Sequence, residues 1–257
     1  MRTPHSAGTV LITGATSGIG LELTKLFAKD NYDLVLIARN KEQLTALSND
    51  LQAKNEIFIK IIPLDLSVPT SSQKIFDELQ KDGMTIDILV NNAGFATNGA
   101  FVDIPFAEDS SQITLNILAL TQLTKLFLPY MLKQKSGKIL NLASIAAFMP
   151  GPYMAVYYAS KAYVLSFSEA IAEEVRGSGV TVTALCPGPT KTNFEKRANM
   201  HFKSTRMSPE TVAKAGYEGL MNGKSVVFVR GSSHLQSVIS RIIPHSLSLR
   251  VMKRFNK

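Results

Sequence analysis

The sequence predicts an α/β protein: a doubly wound parallel sheet of about seven strands with helices on both faces. Two observations carry that prediction. Short, continuously apolar runs alternate with helix-length amphipathic segments along most of the chain, and a glycine-rich turn directly follows the first of those runs. Continuous rather than alternating apolar runs suit strands covered on both faces. Alternation of strand and helix suits parallel strands joined by right-handed crossovers.

Taken in order, Thr9–Thr13 reads as the first strand, followed through the glycine turn by a helix over 18–29. Leu34–Ala38 precedes a helix over 41–53, Ile57–Pro63 one over 71–81, and Ile86–Val90 a long one over 107–133. Lys138–Ala143 precedes a helix over 158–176, Val180–Cys186 one over 209–222, and Ser225–Val229 closes the sheet. Gly and Pro fall at the junctions, and no repeat or low-complexity linker divides the chain. This predicts one domain over 1–231 and a C-terminal extension over 232–257. A ligand crevice is expected at the carboxyl ends of the strands.

Composition narrows the function. The 257 residues are 45% hydrophobic and 19% charged, ordinary for a globular protein. The single cysteine, Cys186, excludes an intrachain disulfide and reads as a buried structural thiol. The opening MRTPHSAG has no secretory pattern, and no continuous apolar run of about 18–20 residues is present. Cytoplasmic residence is the expectation. Residues 1–190 carry 15 Lys/Arg against 17 Asp/Glu, whereas 191–257 carry 13 against 3. The net +8 is therefore a property of the last quarter, which argues against a general nucleic-acid binder. His5, His201, His234 and His245 have no ligand spacing, so no metal is expected.

The turn after the first strand reads Thr13-Gly14-Ala15-Thr16-Ser17-Gly18-Ile19-Gly20. Strand, glycine turn and helix N-terminus together make a pyrophosphate site, where backbone approaches phosphate and the helix end offers free N–H groups. The second strand ends Ile37-Ala38-Arg39-Asn40, with no carboxylate where an NAD-binding chain holds the ribose hydroxyl. Arg39 can instead pair with a 2′-phosphate, which points to NADP(H); the alternative is a solvated loop cation. Asp65 and Leu66 end the third strand, suited either to the adenine ring or to a turn cap.

With these residues in view, the chain over about 8–230 resembles the short-chain dehydrogenase/reductase family. Thr13–Gly20 is similar to that family's cofactor turn, and Asn91-Asn92-Ala93-Gly94 to the motif after its fourth strand. Asn116, Ser144, Tyr157 and Lys161 fall where the family keeps its catalytic tetrad, and Pro187-Gly188 with Thr190 and Thr192 resembles its nicotinamide-positioning loop. The resemblance implies a Rossmann-type fold and a homo-oligomer, dimer or tetramer, joined through the helices over 107–133 and 158–176. Ile242-Ile243-Pro244 and the basic tail resemble a broad group of reductases, some acting on lipid-like ketones.

The chemistry follows from spacing. Tyr157 and Lys161 are four apart, one face of a helix. A free phenol titrates near 10, and a nearby cation is expected to lower that value toward working pH. Ser144 can donate to a substrate oxygen as charge builds there, or simply cap the turn that follows its strand. Asn116 is expected to hold a water linking Lys161 to solvent. The predicted reaction passes a hydride between nicotinamide and a carbonyl or secondary alcohol, with Tyr157 passing the proton. The competing reading is a non-catalytic NADP(H)-binding sensor or scaffold.

Ala146, Ala147, Phe148, Met149, Pro150 and Met154, with Phe194, Met200 and Phe202, would line an apolar pocket for a ketoacyl- or steroid-like carbonyl, or else pack a lid helix. Lys196, Arg197, Lys203 and Arg206 suit either an anionic substrate or a solvated face. In the tail, Leu235, Val238, Ile239, Ile242 and Ile243, then Leu247, Val251 and Phe255, keep helical spacing among basic residues with no acid. Such a segment over 235–257 can cover the protein's own flank, meet a second subunit, or lie on an anionic membrane surface.

Overall fold

A computed structural model describes residues 6–194, 198, 206–229, 249, 252 and 253. Its strands are β1 (Thr9–Thr13), β2 (Asp33–Ala38), β3 (Ile59–Pro63), β4 (Ile88–Asn91), β5 (Gly137–Leu142), β6 (Val180–Cys186) and β7 (Val226–Phe228). They form one seven-stranded sheet in the order β3-β2-β1-β4-β5-β6-β7, every pairing parallel. The doubly wound sheet expected from the sequence is present.

Successive residues of one strand feed two different cores. Val10 and Ile12 of β1, with Leu34 and Leu36 of β2, pack with Leu23 and Phe27 of α1 (Gly18–Lys29). Leu11, Val35 and Ile37 point the other way, onto Ile75 and Leu79 of α3 (Ser71–Lys81) and Leu123 and Phe127 of α5 (Leu120–Gln134). Both faces being dry, the strands read as unbroken apolar runs. α2 (Lys41–Gln52) and α7 (Pro209–Met221) complete the first face, with Leu44 and Leu220 in its core.

The remaining helices differ from expectation in ways that bear on the site. The run expected as one helix over 107–133 is α4 (Phe106–Ile113), a π-helical turn Thr114–Ala119 and α5. π turns are rare and concentrate at functional sites, and this one carries Asn116. The run Phe106–Gln134 is also long and apolar enough to cross a bilayer, with mean hydropathy 1.2 in its best window. Leu120, Leu123, Phe127 and Met131 are nevertheless buried within the protein. α6 (Ala155–Glu174) starts three residues earlier than its periodicity predicts, which brings Tyr157 into its first turn. Two short 3₁₀ turns, Phe101–Asp103 and Ile145–Phe148, have no counterpart in the sequence reading.

Of the extension expected over 232–257, only Leu249, Met252 and Lys253 are among the described residues, so the stripe Leu235 to Phe255 lies outside them. Lys196, Arg197, Met200, Phe202 and Lys203 also lie outside.

Candidate active site

The strand carboxyl ends open onto one cavity of about 1130 Å³. Along its walls lie Gly14, Thr16, Ser17, Gly18 and Ile19 after β1, Arg39 after β2, Asp65 and Leu66 after β3, and Asn92, Ala93 and Gly94 after β4. Ser144 after β5, Tyr157 and Lys161 from α6, and Pro187, Gly188, Thr190 and Thr192 after β6 complete it. Gly20 and Asn116 stand behind that wall.

At one end the backbone is shaped for a phosphate. Ser17 precedes α1 without a side-chain cap, and no acidic residue occupies the first turn. The leading amides of α1 therefore lack both an internal partner and a competing carboxylate. Gly18 has φ +55, and a Cβ there would stand 2.9 Å from Thr192 Cγ2. A Cβ on Gly20 would sit 2.3 Å from the Gly14 carbonyl oxygen and 2.4 Å from Asn92 Nδ2. Only glycine lets helix and turn close to this distance. Asn92 fixes the turn by donating from Nδ2 to the carbonyls of Thr13 (2.9 Å) and Gly14 (3.2 Å). Thr13, which the sequence reading treated only as part of the turn, accepts on Oγ1 from the Asn92 and Ala93 amides, both at 3.0 Å. A nicotinamide dinucleotide fits this cradle: the α1 amides would face its pyrophosphate, and Arg39, exposed at the rim, has no carboxylate partner among the described residues. Asp65 Oδ1 accepts from the Ser67 amide (2.9 Å) and hydroxyl (2.7 Å), so it caps its turn while lining the cavity.

At the other end, α6 brings Tyr157 and Lys161 to one face. Lys161 is 5% exposed, donates from Nζ to the Leu142 carbonyl at 2.6 Å, and lies 5.8 Å from the centroid of the Tyr157 ring. Burial lowers its ammonium to about 8. Tyr157 moves opposite to the sequence expectation. Burial pushes its phenol up to about 12, against the pull of its hydrogen bond with Ser144 and with a smaller push from Tyr158. The neighbouring cation does not reverse this: with its ammonium lowered to about 8, Lys161 is neutral at the pH where the phenol titrates. Ser144 follows β5 by two residues, and its Oγ accepts from the Ala146 amide at 3.1 Å, capping the 3₁₀ turn Ile145–Phe148.

Asn116 is buried on the π turn. Its side chain accepts from the Phe95 amide (3.1 Å) and donates to the Phe95 carbonyl (2.9 Å) and Ser160 Oγ (3.1 Å). The amide thereby ties the loop after β4 to α6. Ser160, between Tyr157 and Lys161, was missed; its signal is the small polar residue held inside that helical turn. The apolar wall contains Ala146, Met149, Met154 and Phe194 as expected. Ala147 and Phe148 pack instead with Ala143, Val164 and Leu165, away from the cavity. Cys186 is fully buried, as expected, and burial raises its thiol to about 12.

The chain is similar along most of its length to known proteins. It is 31% identical over 239 residues to the ketoacyl reductase HetN of Nostoc sp., covering 92% of this chain and 83% of that protein. It is 31% identical over 258 residues to the very-long-chain 3-oxoacyl-CoA reductase of Homo sapiens, covering 96% and 79%. A solved short-chain dehydrogenase from Sphingobium yanoikuyae in complex with NADPH superposes with a TM-score of 0.83 at 32% identity, covering 91% and 93%. The family model for short chain dehydrogenases matches residues 8–202. With that match added to the sheet order and the glycine turn, the chain belongs to the short-chain dehydrogenase/reductase family of oxidoreductases.

Proposed function

We propose that the protein is an NADP(H)-dependent reductase of a lipophilic carbonyl, of ketoacyl or similarly apolar type, working reversibly on the corresponding secondary alcohol. The carrying observation is the convergence of Ser144, Tyr157 and Lys161 on one wall of a cavity whose far end holds the glycine turn and Arg39. Arg39 would hold the 2′-phosphate, Gly14–Gly20 the pyrophosphate, and Asp65 with Leu66 the adenine. Asn92–Gly94, Thr190 and Thr192 would border the nicotinamide half. When bound, the cofactor supplies the hydride.

The chain's own residues handle the oxygen and the proton. Ser144 donates a hydrogen bond to the carbonyl oxygen as negative charge gathers there. Tyr157, held up at about 12, meets the substrate as a neutral phenol; its O–H bond breaks and the proton passes to that oxygen. Lys161 stabilises the phenolate left behind through its charge. Asn116 positions Phe95 and Ser160 around them. The apolar end formed by Ala146, Met149, Met154, Tyr158 and Phe194 supports an apolar substrate. The ketoacyl-type names of the Nostoc and human relatives and the NADPH of the Sphingobium structure support the same reading.

Cytoplasmic residence and assembly into a homo-oligomer belong to the proposal. For the latter, Ile113, Leu118 and Tyr163 are exposed along the helices expected to meet a second copy.

The test is NADPH and NADH titration of the purified protein, then NADPH oxidation with hydrophobic and polar carbonyls, using Tyr157→Phe as control. NADPH preference, with turnover falling at least about a hundredfold in Tyr157→Phe, is expected. NADH preference would overturn the phosphate assignment. Tight NADPH binding without turnover of any carbonyl would favour a sensor or scaffold.

A further inference from the structure

β4 and β5 each bury an asparagine in the middle of the sheet. Asn91 ends β4, Asn141 stands one residue before the end of β5, and the two pair in register. They belong to a network of side-chain hydrogen bonds that runs from α5 to α6. Asn91 Nδ2 donates to Thr124 Oγ1 of α5 (3.3 Å) and to Asn141 Oδ1 (2.9 Å). Asn141 Nδ2 donates to Ser168 Oγ of α6 (2.9 Å), and Ser168 Oγ donates to the Val164 carbonyl (2.6 Å). All four polar side chains are buried, and Asn91 Oδ1 has no hydrogen-bond partner among the described residues. Apolar side chains of the same shape would fill this space without leaving a buried oxygen unpaired, so stability alone does not account for the network.

The α6 end of the network bears on the candidate active site. Tyr157, Lys161, Val164 and Ser168 lie on one stripe of α6. β5 grips that stripe through two consecutive residues: the Leu142 carbonyl accepts from Lys161 Nζ, and Asn141 Nδ2 donates to Ser168 Oγ. The second contact contains no group of the reaction. It fixes the rotation of α6 about its own axis, and with it the distance of Lys161 Nζ from Leu142 and from the Tyr157 ring. The titratable groups that face Lys161 are Tyr157 on α6 and Cys186 on β6, whose thiol burial raises to about 12.

We infer that Asn141 and Ser168 are positioning residues for catalysis: their hydrogen bond holds α6 in the rotation that keeps Lys161 dry, against the Leu142 carbonyl and beside Tyr157. The catalytic part of this rests on the carbonyl-reductase reading; the anchoring of Lys161 does not.

Three variants of the full chain test it: Asn141→Leu, of similar shape without the amide; Ser168→Ala, without the hydroxyl; and Ser168→Thr, which keeps it. In NADPH oxidation with a hydrophobic ketone, kcat should fall about 10- to 100-fold in the first two, with KM for ketone and NADPH held within about twofold. The decline of kcat at high pH, set by Lys161, should move up from about 8 toward 10.5 as water reaches Nζ. Ser168→Thr should recover most of kcat and the natural pH profile. An unchanged kcat in folded Ser168→Ala would overturn the inference. So would a fall in kcat with the decline still near 8, or an equal fall in Ser168→Thr, since either marks a packing defect alone. Urea unfolding gives a readout that needs no turnover. The natural protein should gain stability between pH 8 and 10.5 as buried Lys161 loses its charge, and in Ser168→Ala that gain should shrink by roughly half or more. An undiminished gain would overturn the anchoring of Lys161. A diminished gain, with no ketone turned over by the natural protein, would reject the reductase reading while leaving the anchor in place.

Discussion

Lys161→Met should remove activity and raise stability at once. Lys161 is 5% exposed, and burial holds its ammonium at about 8 instead of 10.5. At about 1.4 kcal/mol per pKa unit, the charged form is disfavoured in the folded protein by about 3 kcal/mol at neutral pH. Methionine is of similar length and apolar, but it cannot donate to the Leu142 carbonyl. Losing that hydrogen bond costs about 1 kcal/mol, which leaves a net gain of about 2 kcal/mol. In a chain of this size that corresponds to roughly 5 °C in Tm. The sign with pH is fixed by the lowered value. Below about 8 both folded and unfolded states carry the charge and the penalty is complete; between 8 and 10.5 the unfolded state binds more protons, so natural stability rises with pH. The variant's advantage should therefore be widest below pH 8, shrink to nothing between 8 and 10.5, and turn into a deficit of about 1 kcal/mol above that, where only the lost hydrogen bond remains. Thermal unfolding followed by circular dichroism at several pH values reads it. A variant less stable than the natural protein below pH 8, or an advantage that widens as pH rises, would refute the reasoning.

Three further outcomes follow from the same geometry. Arg39→Asp replaces a phosphate partner with a repelling charge; NADPH affinity should drop roughly 10- to 150-fold, with NADH binding held or improved, as read by fluorescence titration. Gly20→Ala would force a methyl to within 2.3 Å of the Gly14 carbonyl oxygen, so stability should fall by about 1–3 kcal/mol in urea titration, with NADPH binding weakened. Carbonyl reduction should decline as pH rises through about 8, where Lys161 loses its charge, whereas the residual rate of Lys161→Met should stay flat across that range. A limb that persists unchanged in the variant would assign the titration to another group.

What the sequence conveyed best is what depends on the chain's own pattern. β1 and β2 are legible as unbroken apolar runs because alternate residues serve two dry cores, Val10 and Ile12 one, Leu11 and Val35 the other. Boundaries slip where the deciding contact comes from elsewhere in the fold. β4 starts at Ile88, not Ile86, since Asp87 stands at the strand mouth with its carboxylate accepting the Thr9 amide at 2.7 Å. α6 starts at Ala155 without a capping side chain on Met154, so no local signal marks it. Gly151 lets the preceding loop close onto this first turn, since a Cβ there would stand 2.2 Å from the Tyr158 ring. The π turn over Thr114–Ala119 has an unremarkable helical sequence and shows itself only through the Asn116 contacts with Phe95 and Ser160.

The candidate site divides along the same line. That these residues share one cavity was readable because glycine, arginine, tyrosine and lysine at those spacings have few alternative uses together. Their electrostatic behaviour was not. Spacing places a cation one turn from a phenol and suggests that charge controls the proton, but the balance between Coulomb attraction and desolvation depends on how much water the fold excludes. Here exclusion dominates for both groups, pushing the Tyr157 phenol up to about 12 and the Lys161 ammonium down to about 8. The two opposite shifts favour the neutral phenol as proton donor and keep the cation close to losing its charge. These shifts are thus set by burial, a property of the assembled sheet and helices and not of any motif along the chain.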